Sequence, residues 1–241
     1  MTGVRPAFYA ARPGPWRDWW TVLHPPYTAW HLSYVVLGAT IAPQTDGGVL
    51  LATLVAFFCA VGVAAHSLDE LHGRPLHTRI PRLVLLGATV AALGVSLALG
   101  LAGVGRAGAG LLVFIAVGPL LVFGYNLELF GGKLHSDLGF ALAWGAFPVL
   151  TAYFAQAHRL DLTAILAAVA ATALSLAQRS LSTQARDMRR RVARVEGTIT
   201  MLDGHVQALD DRTLLQPVER ALRGMSLAMI VLACALVAAR V

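Results

Sequence analysis

The sequence Ala65-His66-Ser67-Leu68-Asp69-Glu70-Leu71-His72-Gly73-Arg74-Pro75-Leu76-His77-Thr78 comes directly after an apolar run with no charged residue between Asp46 and His66. Such a run is typical of a membrane-spanning helix. Ionisable groups at the end of a span are costly, and they are retained mainly where they line a cavity, pair with a partner or bind an ion. On a helix, Asp69 and Glu70 share a face with His66. The stretch therefore predicts a functional site.

The basic and titratable residues after Glu70 have a second interpretation. A solvated loop that faces lipid headgroups would explain them equally well. These residues are His72, Arg74, His77, Arg79 and Arg82.

The composition of the whole chain predicts an integral membrane protein. Over 241 residues, 57% are hydrophobic and 13% are charged, and the mean hydropathy is +0.66. A soluble domain of this size is far less apolar. The net charge of +6 comes from arginines that fall between apolar runs, as topology determinants do. This distribution argues against a nucleic-acid-binding surface.

Hydropathy predicts an all-α polytopic bundle of about seven spans, each near the roughly 20 residues that a bilayer core requires. The spans are 27–45, 48–66, 83–104, 108–127, 136–156, 161–180 and 220–240. Four regions follow from them: an interfacial N-terminal segment 1–26, a six-helix core 27–180, a basic and polar connector 181–219 and a last helix 220–241.

The positions of the basic residues predict the orientation in the membrane. If the N-terminus is cytoplasmic, only Arg106, Arg159 and Arg240 lie on the other side. Since cytoplasmic segments carry the excess of Lys and Arg, we expect a cytoplasmic N-terminus and a C-terminus on the opposite side. The groups at 66–70, 128–137 and 179–187 then share one membrane face.

A turn at Gly131–Gly132 joins the fourth and fifth spans and predicts a second polar group. Two helix ends would bring Asn126, Glu128, His135 and Asp137 close together. In the alternative interpretation, Asp137 or the serine before it caps the next helix, and Lys133 meets a lipid phosphate.

A polar stripe at the end of the sixth span predicts an anion-binding group. Gln178, Ser182 and Arg186 recur every four residues and continue the helix beyond the bilayer. Arg179 and Arg186 are the candidates for holding a phosphate or carboxylate, because a guanidinium binds such groups in a bidentate way.

Three parts of the chain resemble the UbiA-type prenyltransferase superfamily, whose members are intramembrane enzymes. The segments 24–28 and 35–39 look like the opening helix of that family. The segments 66–70 and 73–76 resemble its first Asp-rich motif and the Arg-Pro-Leu that follows. The segments 125–133, 137–139 and 147–150 look like its tyrosine, basic loop and Gly-Asp element. The resemblance covers roughly the first 150 residues.

The resemblance implies a metal-dependent enzyme that moves an isoprenoid from its diphosphate to an aromatic or other lipid-soluble acceptor. Magnesium would grip the diphosphate through hard oxygen ligands. The implied catalytic residues are Asp69, Glu70, Tyr125 and Asp137. The residues that would hold the anionic leaving group are Arg74, Lys133, Arg179 and Arg186. The aromatic residues that would face a developing carbocation are Tyr27, Tyr34, Tyr125 and Trp144.

Two other functions remain open. Where the family has asparagine and aspartate, this chain has His66, Ser67 and Glu70, and imidazole with carboxylate suits iron, manganese or zinc. A transition-metal oxidoreductase or hydrolase, including one with two metal ions, is therefore the first alternative. Its ligands would be His66, Asp69, Glu70, Glu128, His135 and Asp137. The second alternative is a non-catalytic membrane protein that binds a lipid or a partner.

Overall fold

The computed structural model describes residues 7–240 as a helical bundle with one small β-hairpin. The first six residues of the predicted segment 1–26 lie outside the described residues, as does Val241 at the end of the predicted segment 220–241.

Within residues 7–240 the helices follow one another with short connections. They are α1 Pro15–Val22, α2 Pro25–Thr40, α3 Gly47–Leu71, α4 Arg82–Ala107, α5 Leu111–Asn126, α6 Asp137–Ala157, α7 Leu162–Arg191 and α8 Asp211–Ala238. The hairpin consists of β1 Gly197–Thr200 and β2 Val206–Leu209, which pair antiparallel. A single 3₁₀ turn, Phe130–Gly132, lies between α5 and α6.

Two of the helices contain a π-helical segment. In α3 the α-helical parts Gly47–Phe57 and His66–Leu71 flank the π segment Phe58–Ala65. In α6 the π segment Leu142–Ala146 separates the α-helical parts Asp137–Ala141 and Phe147–Ala157. Each π segment shifts the helical register, so the residues that follow it point to a different face of the bundle.

Helices α3, α4, α6, α7 and α8 are long and apolar enough to cross a membrane. They support the prediction of an integral membrane protein. The other two predicted spans correspond to α2 and α5, which have 16 residues each. The count of seven spans remains a prediction.

Short polar side chains and prolines fix where the long helices begin. Asp46 caps α3 by accepting a hydrogen bond from the backbone N–H of Val49 at 2.9 Å. Asp161 and Asp210 cap α7 and α8 in the same way, and Ser136 caps α6. At α2, where no side chain caps, two prolines occupy the first positions, where a missing N–H is tolerated.

The region after the predicted sixth span differs most from its sequence-based description as a polar connector. Helix α7 continues without a break to Arg191, and α8 begins at Asp211 and includes Pro217. Between them, β1 and β2 are joined by a tight turn in which Gly204 has φ +82°. Glycine is suited to that left-handed conformation because it has no Cβ.

Helix α2 is the central helix of the bundle and packs mainly against α6 and α8. At Gly38 its backbone lies directly on the carbonyl of Val149 in α6, where an added Cβ would collide with the carbonyl oxygen. Tyr34, one turn earlier, is fully buried and donates a hydrogen bond to the carbonyl of Ala171 in α7 at 3.1 Å. Ser175 donates to the Tyr34 hydroxyl at 3.1 Å.

We expect Gly38→Ala to destabilise the bundle because the new methyl group meets backbone that cannot move aside. Overpacking of this kind costs about 1–3 kcal/mol of unfolding free energy. The matched control is Gly87→Ala in α4, where an added Cβ meets nothing within 4 Å. Thermal unfolding in detergent measures both variants. Equal midpoints for the two variants would contradict the close contact between α2 and α6.

Candidate functional site

A cavity of about 230 Å³ lies at one end of the bundle, where α2, α3, α5, α6 and α7 meet the N-terminal segment and the start of α8. Its polar walls come from residues that are distant in sequence. They are His24, His31, His66, Asp69, Asn126, His135, Gln178, Arg179, Ser182, Arg186, Arg189, Arg190 and Glu219. The suggested aromatic residues Tyr27 and Trp144 line this cavity, whereas Tyr34 does not. Six of the residues that the sequence suggested as catalytic, anion-binding or metal-ligating line it as well. They are His66, Asp69, Tyr125, His135, Arg179 and Arg186.

Both π segments border the cavity. Val61 and Ala65 from the first segment and Trp144 from the second form part of its wall. In α3 the change of register comes directly before His66 and Asp69. π-Helical insertions are frequent at functional sites because they change where side chains point.

Three histidines of the cavity are held by backbone carbonyls. The Nδ1 atoms of His31, His66 and His135 lie 2.8, 3.2 and 3.1 Å from the carbonyl oxygens of Trp144, Gly62 and Tyr125. A carbonyl can only accept, so Nδ1 of each ring is the donor. In the neutral form of each ring, Nε2 is then an acceptor for a ligand proton or a metal.

Asp69 and Arg186 share the cavity but form no ion pair with each other. Among residues 7–240, the Asp69 carboxylate has no hydrogen-bond or ion-pair partner, whereas Arg186 donates to the Thr183 hydroxyl at 3.0 Å. Arg189, three residues further along α7, is paired with Glu219. The cavity thus holds a half-buried carboxylate and a half-buried guanidinium that no opposite charge neutralises directly.

Arg179 lies at the rim of the same cavity. Its Nε donates to the Asp137 carboxylate at 3.1 Å, and its guanidinium carbon lies 5.0 Å from the centre of the Phe140 ring. The Asp137 side chain is 72% exposed, so water competes for this ion pair. Replacing Asp137 by another anion that binds the Arg179 guanidinium with better geometry would therefore cost little free energy.

Aromatic rings form the floor of the cavity. Tyr125 stacks on His135 with 4.5 Å between the ring centres, and it meets Trp144 edge to face at 5.8 Å. His31 and Phe140 complete the layer, with their ring centres 5.9 Å apart. The faces of aromatic rings attract positive charge.

The N-terminal segment covers one side of the cavity. Tyr9 lies edge to face against His24 and Tyr27, at 5.3 and 5.5 Å. The backbone carbonyl of Tyr9 accepts a hydrogen bond from the indole N–H of Trp20 at 3.2 Å. The His24 ring in turn meets the His66 ring at 4.3 Å. These contacts join the N-terminal segment to the end of α3.

Burial shifts the pKa of two of these residues in the direction that favours the uncharged form. It lowers the pKa of His24 well below its usual value, and the neighbouring His66 lowers it further. It raises the pKa of Tyr9 well above its usual value. His24 is therefore neutral imidazole at pH 7, and Tyr9 is a neutral phenol that can act as a hydrogen-bond donor.

Glu70 does not line the cavity. Its carboxylate is completely buried and accepts hydrogen bonds from the backbone N–H of Leu76 at 3.0 Å and from the N–H and hydroxyl of Thr78 at 2.9 and 2.7 Å. Arg74 supports the same loop by donating to the carbonyl oxygen of Ile80 at 2.7 Å. Both residues fold the loop 72–80 back onto α3.

Three other residues suggested by the sequence also lie outside the cavity lining. Glu128, Lys133 and Asp137 are all exposed. The backbone of Glu128 has φ +51°, since the chain turns sharply there between α5 and α6. Of these three residues, Asp137 is the one that contacts a residue of the cavity wall, through its hydrogen bond with Arg179.

Within residues 7–240, no group of three or more His, Cys, Asp or Glu side chains is arranged to hold one metal ion. Of the six ligands suggested by the sequence, His66, Asp69 and His135 share the cavity. Glu70 is committed to its loop, while Glu128 and Asp137 face outward. The described side chains therefore do not fit a metal centre made from protein ligands alone.

Comparison with known proteins finds no matching family model, no matching curated protein and no matching solved structure.

Some residues of the cavity have no clear signal in the sequence. His24 precedes α2 with φ +47°, and Tyr9 lies in a segment without periodicity. Glu219, on the first part of α8, closes the cavity from a region whose sequence suggests only a polar connector. A short polar segment between two spans contains nothing that predicts which side chains fold back onto the bundle.

We expect Glu70→Gln to lower the free energy of unfolding by about 1–3 kcal/mol, because an amide NH₂ would face backbone N–H donors that need an acceptor. The matched control is Glu128→Gln, which changes an exposed side chain. Denaturation in detergent measures both. If Glu70→Gln unfolds at the midpoint of the unsubstituted protein, the carboxylate does not hold the loop.

Proposed function

We propose that this protein binds a lipid-soluble molecule with an anionic head, of the isoprenoid diphosphate class, in the cavity around Asp69 and Arg186. The observation that supports the proposal most directly is the Arg186 guanidinium, which is half-buried and has no carboxylate partner among residues 7–240. A cation is retained in such a place where a ligand supplies the opposite charge.

Two arginines are suited to the head of this ligand. Arg179 and Arg186 lie on one face of α7, about two helical turns apart, and both reach the cavity. A diphosphate has enough oxygen atoms for a bidentate contact to each guanidinium. In this proposal the diphosphate takes the place of Asp137 as the partner of Arg179.

The aromatic floor is suited to the first isoprene unit. The rings of Tyr125, Trp144 and His31 provide an apolar surface on which an allylic group can lie. Their faces would also stabilise positive charge on that group.

The proposed reaction is prenyl transfer, as in the family that the sequence resembles. The bond between the first prenyl carbon and the diphosphate oxygen breaks, and its electron pair leaves with the diphosphate, whose growing charge Arg179 and Arg186 stabilise. An acceptor hydroxyl or carbon forms the new bond to the prenyl carbon. Its proton passes to a nearby base, for which Asp69 and Nε2 of His66 are the candidates.

The fold that accompanies this proposal is a seven-span, UbiA-like bundle in which α2 and α5 also cross the membrane. A divalent cation would add charge neutralisation at the diphosphate. Because the described side chains do not fit a protein-only metal centre, no step above depends on a metal.

We expect Arg186→Gln to weaken the binding of farnesyl diphosphate by about 10- to 100-fold, the loss expected for charge-assisted hydrogen bonds. Calorimetry on the full chain in lipid nanodiscs gives the dissociation constant. Arg191→Gln is the matched control because Arg191 lies on the same helix but is 80% exposed and does not line the cavity. Farnesol, which lacks the diphosphate, should bind more weakly than farnesyl diphosphate.

Equal affinity of Arg186→Gln and the unsubstituted protein, or equal affinity for farnesol, would contradict the proposal. The same protein, purified without added metal, also tests the alternative by elemental analysis. Bound iron, manganese or zinc that is lost in His66→Ala would favour a transition-metal enzyme instead. Farnesyl diphosphate binding without transfer to any phenolic acceptor would favour a non-catalytic lipid-binding protein.

We propose that the cavity opens toward the cytoplasm, since most basic residues lie at its end of the bundle. An alkaline phosphatase domain that is inserted at Asp203, in the turn of the hairpin, should be inactive in a bacterial host. The same domain fused after Val241 should be active. The reverse pattern would overturn the proposed orientation.

A further inference from the structure

A second cavity of about 320 Å³ lies between α3, α4, α5 and α6. Its lining includes the exposed residues Gly48 and Arg106, which lie beside Asp46, the cap of α3, and we call this end of the cavity its mouth. The first cavity lies near His66, at the other end of the same helix. At about 1.5 Å per residue, these positions are roughly 30 Å apart along the helix, which is the thickness of a bilayer core. The mouth and the first cavity therefore lie toward opposite ends of the bundle, and hence toward opposite faces of a membrane that α3 crosses.

Small residues make room for this cavity. Gly48, Ala52, Ala56 and Ala60 recur every fourth residue on α3 and share one face, which forms a wall of the cavity. The opposite wall is formed by larger apolar side chains such as Phe114 of α5. An empty apolar space of this size would cost packing energy, so an occupant from the membrane stabilises the protein.

The walls of this cavity are suited to an apolar occupant. Two threonines in the lining satisfy their own hydroxyl groups within their helices: Thr53 donates to the carbonyl of Val49, and Thr151 donates to the carbonyl of Phe147, both at 2.7 Å. Apart from Ser96, the rest of the lining away from the mouth is aliphatic or aromatic. A hydrocarbon chain fits these walls, because it requires no hydrogen bonds from them.

The guanidinium of Arg106 lies at the mouth of the cavity. Arg106 lines the cavity, and its Nη2 donates to the Asp46 carboxylate at 2.6 Å. The Arg106 side chain is nevertheless 64% exposed. Its remaining N–H donors are therefore accessible to an acceptor at the membrane surface, and phosphate oxygens match their geometry.

We infer that this cavity binds one phospholipid from the membrane face opposite to the first site, with one acyl chain between α3 and α5 and the phosphate at Arg106. The inference does not depend on the proposed function, since the two cavities share no lining residue. The lipid would act as a structural ligand that fills the space left by the small residues of α3.

Native mass spectrometry of the full chain, released from detergent after titration with palmitoyl-oleoyl-phosphatidylglycerol, tests the inference. The unsubstituted protein should retain one phospholipid. Ala56→Leu, which fills the cavity, and Arg106→Gln, which removes the phosphate contact, should each reduce the retained lipid by about tenfold. Ala52→Leu is a second filling variant in case Ala56→Leu does not fold.

Two substitutions serve as matched controls. Ala173→Leu adds the same side chain on an exposed face of α7, and Arg159→Gln removes an exposed arginine at the same end of the bundle. Both should retain the lipid. Unchanged retention in the filling variants and in Arg106→Gln would overturn the inference. So would a loss of farnesyl diphosphate affinity in Ala56→Leu with unchanged phospholipid retention, because the cavity would then hold a prenyl tail.

Discussion

The contact between Gly38 of α2 and the Val149 carbonyl of α6 sets the geometry on which the first cavity depends. Seven residues before Gly38, His31 donates its Nδ1 proton to the carbonyl of Trp144, which lies five residues before Val149. The two helices are therefore parallel and held together at two levels. Because both helices begin at the cavity, this pairing fixes the aromatic floor relative to the histidines.

Elsewhere in the bundle, polar side chains are used to join helices. Lipid offers no water to hydrogen-bond with, so buried polar groups have to find partners within the protein. Tyr34 joins α2 to α7 through the carbonyl of Ala171, and Arg240 donates to the carbonyls of Thr40 and Ala42 at the end of α2. Among the described residues, four buried side-chain atoms have no hydrogen-bond partner, and one of them, Oε1 of Gln178, belongs to a residue that lines the first cavity.

The sequence predicts the helices well because apolar runs and their caps are local signals. It also predicts that the polar ends of α3, α5 and α7 lie on the same membrane face, and in the structure residues from all three helices line one cavity. It does not reveal what each carboxylate does. Glu70 and Asp69 are neighbours in the chain, yet one holds a loop and the other lines the cavity.

That difference arises from structure the sequence does not encode locally. The π segment before His66 sets which face of α3 each later side chain occupies. No residue of Phe58–Ala65 predicts that a π segment forms there. The position of Tyr9 over His24 likewise depends on tertiary contacts with α1 and α2. Long-range packing thus decides which members of a polar cluster become available to a ligand.

Two arginines of α7 differ in whether a carboxylate pairs with them, and this difference bears on the proposed site. Arg189 is paired with Glu219, whereas Arg186, almost one turn earlier on the same helix, has no carboxylate partner within the described chain. A half-buried guanidinium that no carboxylate contacts is costly in free energy, and Asp69 lies in the same cavity without forming an ion pair with it. Selection for stability alone would favour an ion pair between Asp69 and Arg186. In the proposed function, the diphosphate of the ligand would supply the missing partner of Arg186, and local losses of stability of this kind are common at functional sites.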